Sequence, residues 1–407
     1  MRIGFVTQWF PPEPAIIPAE IVDGLARRGH HVDVLTGFPN YPDGVLQEGW
    51  KLAPYHVSER STDVIVHRGW LYPNHDASAV RRMGNYLSFA AGSAPVALRK
   101  VPRPDVWLTY SSPITANVPA MLANPRGRVP MAMIVQDLWP DSVIDSGMAS
   151  GKAQRVMGRP LHAFCNLTYR KHDAIGVISP SMRSILTDRG VPDAKIFDTP
   201  NWIRDDSLVL EADAAELREQ LGLPTGRLAI YAGNMGPMQN LTPLVEAAKL
   251  EPGLHLVLIG GGIEAEALRT LAAGAPNIEV RQAVPPSEIG QFLAAADALV
   301  VSVADSALMR ATMPSKVQTS LAAGRAVLVH GAGDVAAVVS EAGAGLTARP
   351  GSSGDLRQAM RDLVAASPDQ LADWGAKARS TYLAKFSPDA GVTRIEAMLD
   401  AAMSRKK

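Results

Sequence analysis

The stretch Leu228-Ala229-Ile230-Tyr231-Ala232-Gly233-Asn234-Met235-Gly236 decides the fold of this chain. Its first five residues are apolar, as in a strand that is buried on both faces, and its glycines suit the turn at the carboxyl end of such a strand. Further strands are predicted over 254–259, 278–280, 298–303, 326–329 and 345–347, and helices over 241–249, 263–273, 288–295, 316–323 and 355–365. Strands that alternate with helices indicate right-handed crossovers and a mostly parallel sheet.

The same alternation precedes this stretch and forms a first series. Strands are predicted over 2–7, 31–36, 64–66, 106–108, 132–135 and 174–178, with a loop over 11–18 and a first helix over 19–28. The 407 residues are about 2.7 times the roughly 150 expected of one domain. We therefore predict two doubly wound α/β domains, over 1–200 and 201–386, that join near Pro200. Helices predicted over 370–386 and 389–403 close the chain.

The composition is that of a globular protein. Forty Lys and Arg residues balance forty Asp and Glu residues, 20% of the chain is charged and 47% is hydrophobic. The zero net charge argues against a nucleic-acid binder, since such proteins carry a basic surplus. The single cysteine, Cys165, favours a reducing compartment. The sequence shows neither a signal peptide nor the roughly 18 apolar residues of a membrane span, so we expect a cytoplasmic protein.

The charge is nevertheless sorted along the chain. Residues 1–200 carry 21 basic and 17 acidic side chains, a net +4, and the rest carries 19 and 23, a net −4. Much of the positive excess lies between Arg68 and Arg103, where apolar residues are interleaved with the bases. Such a segment is able to contact an anionic membrane at its inner face or an acidic acceptor. The alternative is an ordinary core helix with solvated arginines.

Three segments of the second domain suit phosphate binding, because glycine turns and helix N-termini present backbone N–H groups beyond the carboxyl ends of strands. They are 233–236, 260–262 and 313–316. In the third, Ser315 is predicted as the N-cap of a helix and Lys316 follows it in the first turn. A cation there opposes the helix dipole, so a bound diphosphate is the expected counter-charge.

Polar residues also follow a strand of the first domain. Asp137 and Asp141 flank Trp139 at the predicted carboxyl edge of the sheet. We expect Asp137 to face a ligand cleft, because a buried unpaired carboxylate is costly. Trp139 suits either the cleft or the core. A Walker loop, clustered metal ligands and a nucleophile elbow are absent from the sequence, so no metal site is predicted.

Several stretches together resemble the retaining GT-B glycosyltransferases of family 4, and among them the bacterial transferases of O-antigen and exopolysaccharide synthesis. They occur in the family's order over nearly the whole chain. The stretches are Phe10-Pro11-Pro12-Glu13, 28–37, Phe38-Pro39-Asn40-Tyr41-Pro42, Asp137-Leu138-Trp139-Pro140-Asp141, Pro200-Asn201-Trp202, 231–236 and Pro314-Ser315-Lys316-Val317-Gln318.

The resemblance implies two Rossmann-like domains that face each other across a cleft, with the acceptor on the first, the nucleotide sugar on the second, and a final helix over 387–407 returning to the first. It implies catalytic roles for Asp137 and Lys316. Donor contacts are implied for Gly233, Asn234, Met235, Gly236, Gln239, Gly260, Gly261, Val284, Pro285, Ser315, Lys316 and Thr319. Acceptor contacts are implied for Glu13, Asn40, Tyr41 and Trp139. The implied reaction uses a UDP-sugar and a saccharide or lipid-linked saccharide, with no metal and no cofactor.

The chain also departs from the family pattern. Many members carry cations where it has Asn234 and Gln239, and glutamates where it has Ala311 and Thr319. Isoleucines stand at 16 and 17 where the family tends to have small glycines. Ala311, Thr319 and the isoleucines motivate a catalytically silent binding subunit as one alternative function, and a nucleotide-sugar 2-epimerase of the same architecture is the other.

Overall fold

The computed structural model describes residues 1–75, 78–141 and 152–406. The chain forms two compact units. The first comprises Met1–Asn201 and Gly391–Lys407, and the second comprises Trp202–Ala390. Within the described residues, each unit is built on one sheet with helices packed against it, which confirms the predicted α/β fold class with two Rossmann-like units.

The sheet of the first unit has eight described strands in the order β3-β4-β2-β1-β5-β6-β7-β8. They are β1 (Arg2–Val6), β2 (His31–Gly37), β3 (Tyr55–Ser61), β4 (Val64–Gly69), β5 (Val106–Ser111), β6 (Met131–Val135), β7 (Ala174–Val177) and β8 (Ile196–Asp198). The helices here are α1 (Ile16–Arg27), α2 (Ala79–Arg99), α3 (Val118–Ala123), α4 (Lys152–Lys171) and α5 (Pro180–Asp188). All neighbouring strands are parallel except β3 and β4.

The central strands of this sheet are apolar because helices cover both of their faces. Ile3, Phe5 and Leu108 are fully buried. Strands β3 and β8 escaped the sequence analysis. Most of β3 is exposed and polar, since it is an antiparallel edge strand, and β8 is three residues long. Helix α1 begins at Ile16, so the predicted loop ends three residues early.

The sheet of the second unit is parallel throughout, in the order β11-β10-β9-β12-β13-β14. Its strands are β9 (Arg227–Ala232), β10 (Leu254–Ile259), β11 (Ile278–Arg281), β12 (Ala298–Ser302), β13 (Ala326–His330) and β14 (Gly345–Ala348). Its helices are α6 (Ala214–Gln220), α7 (Thr242–Lys249), α8 (Ala265–Ala272), α9 (Ile289–Ala295), α10 (Ala307–Arg310), α11 (Ser315–Ala322), α12 (Asp334–Ala342), α13 (Ser353–Ala365) and α14 (Pro368–Lys385). The strand order reverses between β9 and β12, and ligands of such sheets bind at this switch point.

A last helix, α15 (Pro388–Ser404), lies mostly within the first unit. Its Glu396 pairs with Arg28 and accepts a hydrogen bond from His30 Nε2 at 2.7 Å. Gly24 of α1 lies against Val392 so closely that a Cβ there would come within 2.5 Å of a Val392 methyl group. Helix α15 therefore packs against α1. Across the described ranges, no helix combines the length and the apolar character needed to span a bilayer.

Candidate functional site

A cavity of about 460 Å³ lies at the switch point of the second sheet. Its walls come from the carboxyl ends of β9 and β10, from β12, from the segment before α9 and from the first turns of α11. Of the predicted donor contacts, it is lined by Gly233, Asn234, Gly260, Gly261, Val284, Ser315, Lys316 and Thr319. The structure thus brings together residues from all three segments that the sequence analysis assigned to phosphate.

Two glycine turns form the floor of this cavity, and their geometry requires glycine. Gly233 and Gly260 have φ of 136° and 153°, which side-chain-bearing residues rarely adopt. A Cβ on Gly260 would lie 1.9 Å from the Gly233 carbonyl oxygen, and a Cβ on Gly233 would lie 1.7 Å from Lys316 Nζ. The missing side chains therefore allow the turns to touch each other and leave room for the lysine.

Lys316 is the cation of the cavity. Its ammonium donates a hydrogen bond to the Ala232 carbonyl at 2.6 Å and lies 4.6 Å from the centre of the Tyr231 ring. No carboxylate among the described residues forms an ion pair with it. Burial lowers the pKa of Lys316 to about 8. The site holds a partly desolvated positive charge without a negative partner, which suits an anionic ligand.

The start of helix α11 adds backbone donors to this charge. The prediction that Ser315 caps the helix is wrong, because Pro314 occupies the N-cap position and Ser315 is already the first helical residue. No side chain caps this end of the helix. The Val317 N–H donates to the Pro314 carbonyl at 3.1 Å, which leaves the N–H groups of Ser315 and Lys316 for a ligand at the positive end of the helix dipole.

Four predicted donor contacts do not line the cavity: Met235, Gly236, Gln239 and Pro285. Met235 is fully buried in the core beside α7, and the Gln239 amide oxygen accepts a hydrogen bond from Asn234 Nδ2 at 2.9 Å. Pro286 lines the cavity instead of Pro285. Thr319 does line it, but its hydroxyl donates to the Ser315 carbonyl at 3.0 Å.

One wall of the cavity is apolar, and the sequence analysis missed it. The wall consists of Ile230, Ile259, Ile289, Leu293 and Leu299. In the sequence these residues look like ordinary core positions of strands and of α9. Only one signal pointed to a ligand site. These residues lie near the carboxyl ends of the strands on either side of the reversal in strand order. An apolar wall opposite a cation suits a flat ring attached to an anion.

Asp137 lies in the first unit, directly after β6 and near the end of β5. It is exposed, and the Ser112 hydroxyl donates to its Oδ2 at 2.8 Å. The surrounding protein nevertheless removes water from the carboxylate, which raises its pKa, while the hydrogen bond from Ser112 lowers it. Asp137 is thus an accessible carboxylate, and its pKa depends on the hydrogen bond from Ser112. Asp141 pairs with Arg189.

Of the four predicted acceptor contacts, only Tyr41 remains accessible. Glu13, Asn40 and Trp139 are 3%, 1% and 4% exposed, so their predicted contact with an acceptor is not available in this structure. Trp139 packs against Tyr86 within the core of the unit. Tyr41 is half-buried beside Trp9 and His75, with ring centroids 5.1 Å from each.

Glu13 is a structural residue of the first loop. One carboxylate oxygen accepts the Phe10 N–H at 3.0 Å, and the other accepts the N–H groups of Asn40 and Tyr41, each at 2.9 Å. Burial raises the pKa of Glu13 to about 7, although these three hydrogen bonds and the charge of Arg68 act in the opposite direction. Glu13 therefore fixes the backbone beneath Tyr41 rather than offering its carboxylate to a ligand.

Family models match both halves of the chain. A model described as "Glycosyl transferase 4-like domain" matches residues 15–202, and one described as "Glycosyl transferases group 1" matches residues 213–381. Among curated proteins, the chain is 30% identical over 258 residues to WcaI of Escherichia coli (strain K12), whose name assigns it to glycosyl transfer in colanic acid biosynthesis. That match covers 60% of this chain and 61% of the relative, slightly less than two thirds of its length.

Solved structures share the fold over almost the whole chain. Sucrose-phosphate synthase from Thermosynechococcus elongatus superposes with a TM-score of 0.70 at 18% identity and covers 99% of each chain. Anabaena Alr3699/HepE in complex with UDP superposes with a TM-score of 0.69 at 16% identity and covers 98% of this chain and 100% of its own. At these identities the likeness concerns the fold alone.

Proposed function

The chain belongs to the GT-B glycosyltransferases of family 4, and from this membership we propose that it moves a sugar from a nucleoside-diphosphate sugar to a hydroxyl group of a saccharide. The observation that carries the proposal is Lys316, a cation with no carboxylate partner among the described residues, held between a glycine turn and the uncapped start of α11. The product would belong to a cell-surface polysaccharide, as the name of the E. coli relative suggests.

The donor would bind with its diphosphate at the glycine turns and its base against the apolar wall. A phosphate oxygen would replace the Ala232 carbonyl as the acceptor of the Lys316 ammonium, 2.6 Å away in this structure. The N–H groups of Ser315 and Lys316 would add two donors at the same place. We favour a UDP-sugar, since one protein of the same fold, Anabaena Alr3699/HepE, was solved with UDP and with UDP-glucose.

The chemistry follows from the charge that develops on the leaving group. The bond between the anomeric carbon and the phosphate oxygen breaks, the acceptor oxygen bonds to that carbon from the same face, and the acceptor's proton passes to the departing phosphate. Lys316 and the start of α11 would stabilise the growing negative charge without a metal. We propose a retaining hexosyl or N-acetylhexosaminyl transfer of this kind, with a catalytic role for Asp137, whose carboxylate accepts a hydrogen bond from the Ser112 hydroxyl.

The acceptor we favour is linked to a lipid at the inner face of the cell membrane. The positive excess of the first 200 residues supports this choice, because a lipid-linked saccharide would place the protein beside an anionic surface. Tyr41, which is half-buried beside Trp9, offers an aromatic surface on which a sugar ring could stack.

Calorimetric titration with UDP tests the donor site. The full-length protein should bind UDP, and Lys316→Ala should bind it at least tenfold more weakly, because a charged hydrogen bond is worth about 1.5–3 kcal/mol. Lys249→Ala, at an exposed lysine of the same unit, serves as the control and should bind as the unmodified chain does. Unchanged affinity in Lys316→Ala would refute the site.

NMR of the donor tests the reaction. With a saccharide acceptor, the anomeric signal of the UDP-sugar should be replaced by that of a glycoside with the same configuration. Epimerisation of the free UDP-sugar without an acceptor would assign the chain to the alternative enzyme class. Tight binding with neither reaction, over a range of acceptors, would indicate a silent subunit.

A further inference from the structure

The outward face of helix α2 is apolar. Val80, Leu87 and Leu98 are 82%, 55% and 54% exposed, and Ala91 between them is exposed as well. Their spacings of seven, four and seven residues place them on one side of the helix. The face is about 27 Å long at 1.5 Å per residue. A surface helix normally turns its polar side to water, so this arrangement calls for a covering partner.

Two aromatic residues flank this face. Trp70 and Tyr72 are each 42% exposed. Trp70 lies against α2 at Gly92, where a Cβ would come within 2.0 Å of the Trp70 carbonyl oxygen, and the Tyr72 amide donates to the Ser88 hydroxyl at 2.8 Å. A cavity of about 380 Å³ opens beside Trp70 and Pro95. Half-exposed Trp and Tyr rings are typical of surfaces that enter the headgroup region of a bilayer.

Cations surround the carboxyl end of the same helix. Exposed Arg99 and Lys100 end the helix, and Leu98 also lines a cavity of about 280 Å³ whose rim carries Arg103, Arg126 and Arg128. No described carboxylate forms an ion pair with any of these five cations. Between residues 77 and 136 the sequence has seven basic side chains and one acidic side chain. That acid, Asp105, accepts the Arg2 amide at 2.7 Å.

We propose that the outward face of α2, together with Trp70, Tyr72 and the cavity at Arg103, Arg126 and Arg128, docks on a bilayer that contains anionic phospholipid. The apolar residues would enter the headgroup region, and the three arginines would receive a lipid phosphate. A second copy of the chain is a poorer occupant, because it would set the same cations against each other. The inference rests on the proposed function only in that a lipid-linked acceptor gives docking a purpose.

This surface uses part of the segment between Arg68 and Arg103 that was predicted from the sequence, without Arg68, and adds Arg126 and Arg128. Arg68 is 2% exposed and donates to the carbonyl groups of Gly37 and Pro11, so it belongs to the interior of the first unit. Leu87 and Leu98, which the alternative prediction placed in the core, are exposed instead, whereas Phe89 and Val96 are buried. The helix therefore has two apolar faces, and among the residues that the structure describes one of them is buried and the other is exposed.

Vesicle co-sedimentation of the full chain tests the proposal. The protein should bind vesicles of equal parts phosphatidylcholine and phosphatidylglycerol at low salt, and it should not bind phosphatidylcholine alone. The triple variant Arg103→Gln, Arg126→Gln, Arg128→Gln should bind about 100-fold more weakly, since each cation near an anionic surface contributes about fivefold. High salt should weaken binding of the unmodified chain.

A matched pair of double variants separates the α2 face from general surface effects. Leu98→Gln with Arg99→Gln should weaken vesicle binding about tenfold. Leu250→Gln with Lys249→Gln likewise removes an exposed leucine and a neighbouring cation at the end of α7, where Leu250 is 58% exposed, and should not change vesicle binding. All four positions are exposed, so the thermal unfolding midpoint should stay unchanged in both variants.

Three results would overturn the proposal. They are failure of the unmodified chain to bind anionic vesicles at low salt, equal binding by the α2 and α7 variants, and a dimer in sedimentation that Leu98→Gln dissociates. Brominated lipid tests the position of Trp70, because it should quench the tryptophan fluorescence of the unmodified chain more than that of Trp70→Phe. UDP titration of the same variants keeps the two proposals apart, since vesicle binding without UDP binding would refute only the donor site.

Discussion

The buried charge of Lys316 predicts an unusual pH dependence of donor binding. Burial lowers its pKa to about 8, from 10.5 for a free lysine. Only the protonated ammonium neutralises a diphosphate, so the competent fraction of the free protein is about 90% at pH 7, half at pH 8 and about 10% at pH 9. The affinity for UDP should therefore fall about fivefold between pH 8 and pH 9 and about tenfold for each further unit. A lysine with an ordinary pKa would keep the affinity constant to about pH 10.

Calorimetry between pH 7.5 and 9 measures this dependence, because over that range the diphosphate of UDP is largely ionised and its uracil ring is largely still protonated. At pH 8 the binding of UDP should also take up about half a proton, since the bound anion returns the Lys316 ammonium to its charged form. That uptake appears as a dependence of the binding enthalpy on the ionisation enthalpy of the buffer. Lys316→Arg is the matched variant and should bind with little pH dependence. Constant affinity of the unmodified chain to pH 9, or the same decline in Lys316→Arg, would refute the reasoning.

The remaining predictions concern the glycine turn, the first loop and the carboxylate of the first unit. In Gly260→Ala the new Cβ would lie 1.9 Å from the Gly233 carbonyl oxygen. The variant should therefore bind UDP more than about tenfold more weakly, and urea unfolding should show a free energy of unfolding lower by about 1–3 kcal/mol. Unchanged affinity would contradict the close contact of the turns. Burial raises the pKa of Glu13 to about 7, so between pH 4.5 and 7 the folded protein holds more of a proton at this carboxylate than the unfolded chain does. Relative to Glu13→Gln, the unmodified chain should therefore lose up to about 3 kcal/mol of unfolding free energy over that interval, and parallel stability curves would exclude the shift. Ser112→Ala removes the hydrogen bond that lowers the pKa of Asp137, so the acidic limb of the transfer rate should move to higher pH, whereas Ser112→Thr should restore it.

The fold was readable from the sequence where burial is two-sided. The central strands of both sheets are apolar without interruption, and the glycine turn after β9 marks the end of one of them. Edge strand β3 shows no sustained alternation of apolar and polar residues, so it was not predicted from the sequence. A hydrophobic pattern arises only where one or both faces of a strand are buried. At an exposed edge, polar and apolar residues are both tolerated, so no pattern develops.

The candidate site was readable only in part, for two physical reasons. Glycines and Lys316 stand out in the sequence because backbone geometry and a helix start restrict those positions. Trp139 and Glu13 carried equally suggestive side chains, but only the packing shows that each is 4% exposed or less. The apolar wall with Ile230 and Leu299 was missed for a different reason: a residue that lines a cavity and one that fills the core have the same chemistry, so position in the sheet was the only signal.

The first unit is assembled from two separate parts of the chain, 1–201 and 391–407. During synthesis, the surface of α1 must therefore wait until the whole second unit has been translated before α15 arrives to cover it. The second unit is continuous and is free to fold as it emerges from the ribosome. A nonsense mutation shortly after residue 390 would remove Val392, Ile395 and Met398, which are buried against the first unit. The damage would thus fall on the part of the protein made first, and a chaperone that shields the uncovered α1 would be needed from its synthesis until α15 has been translated.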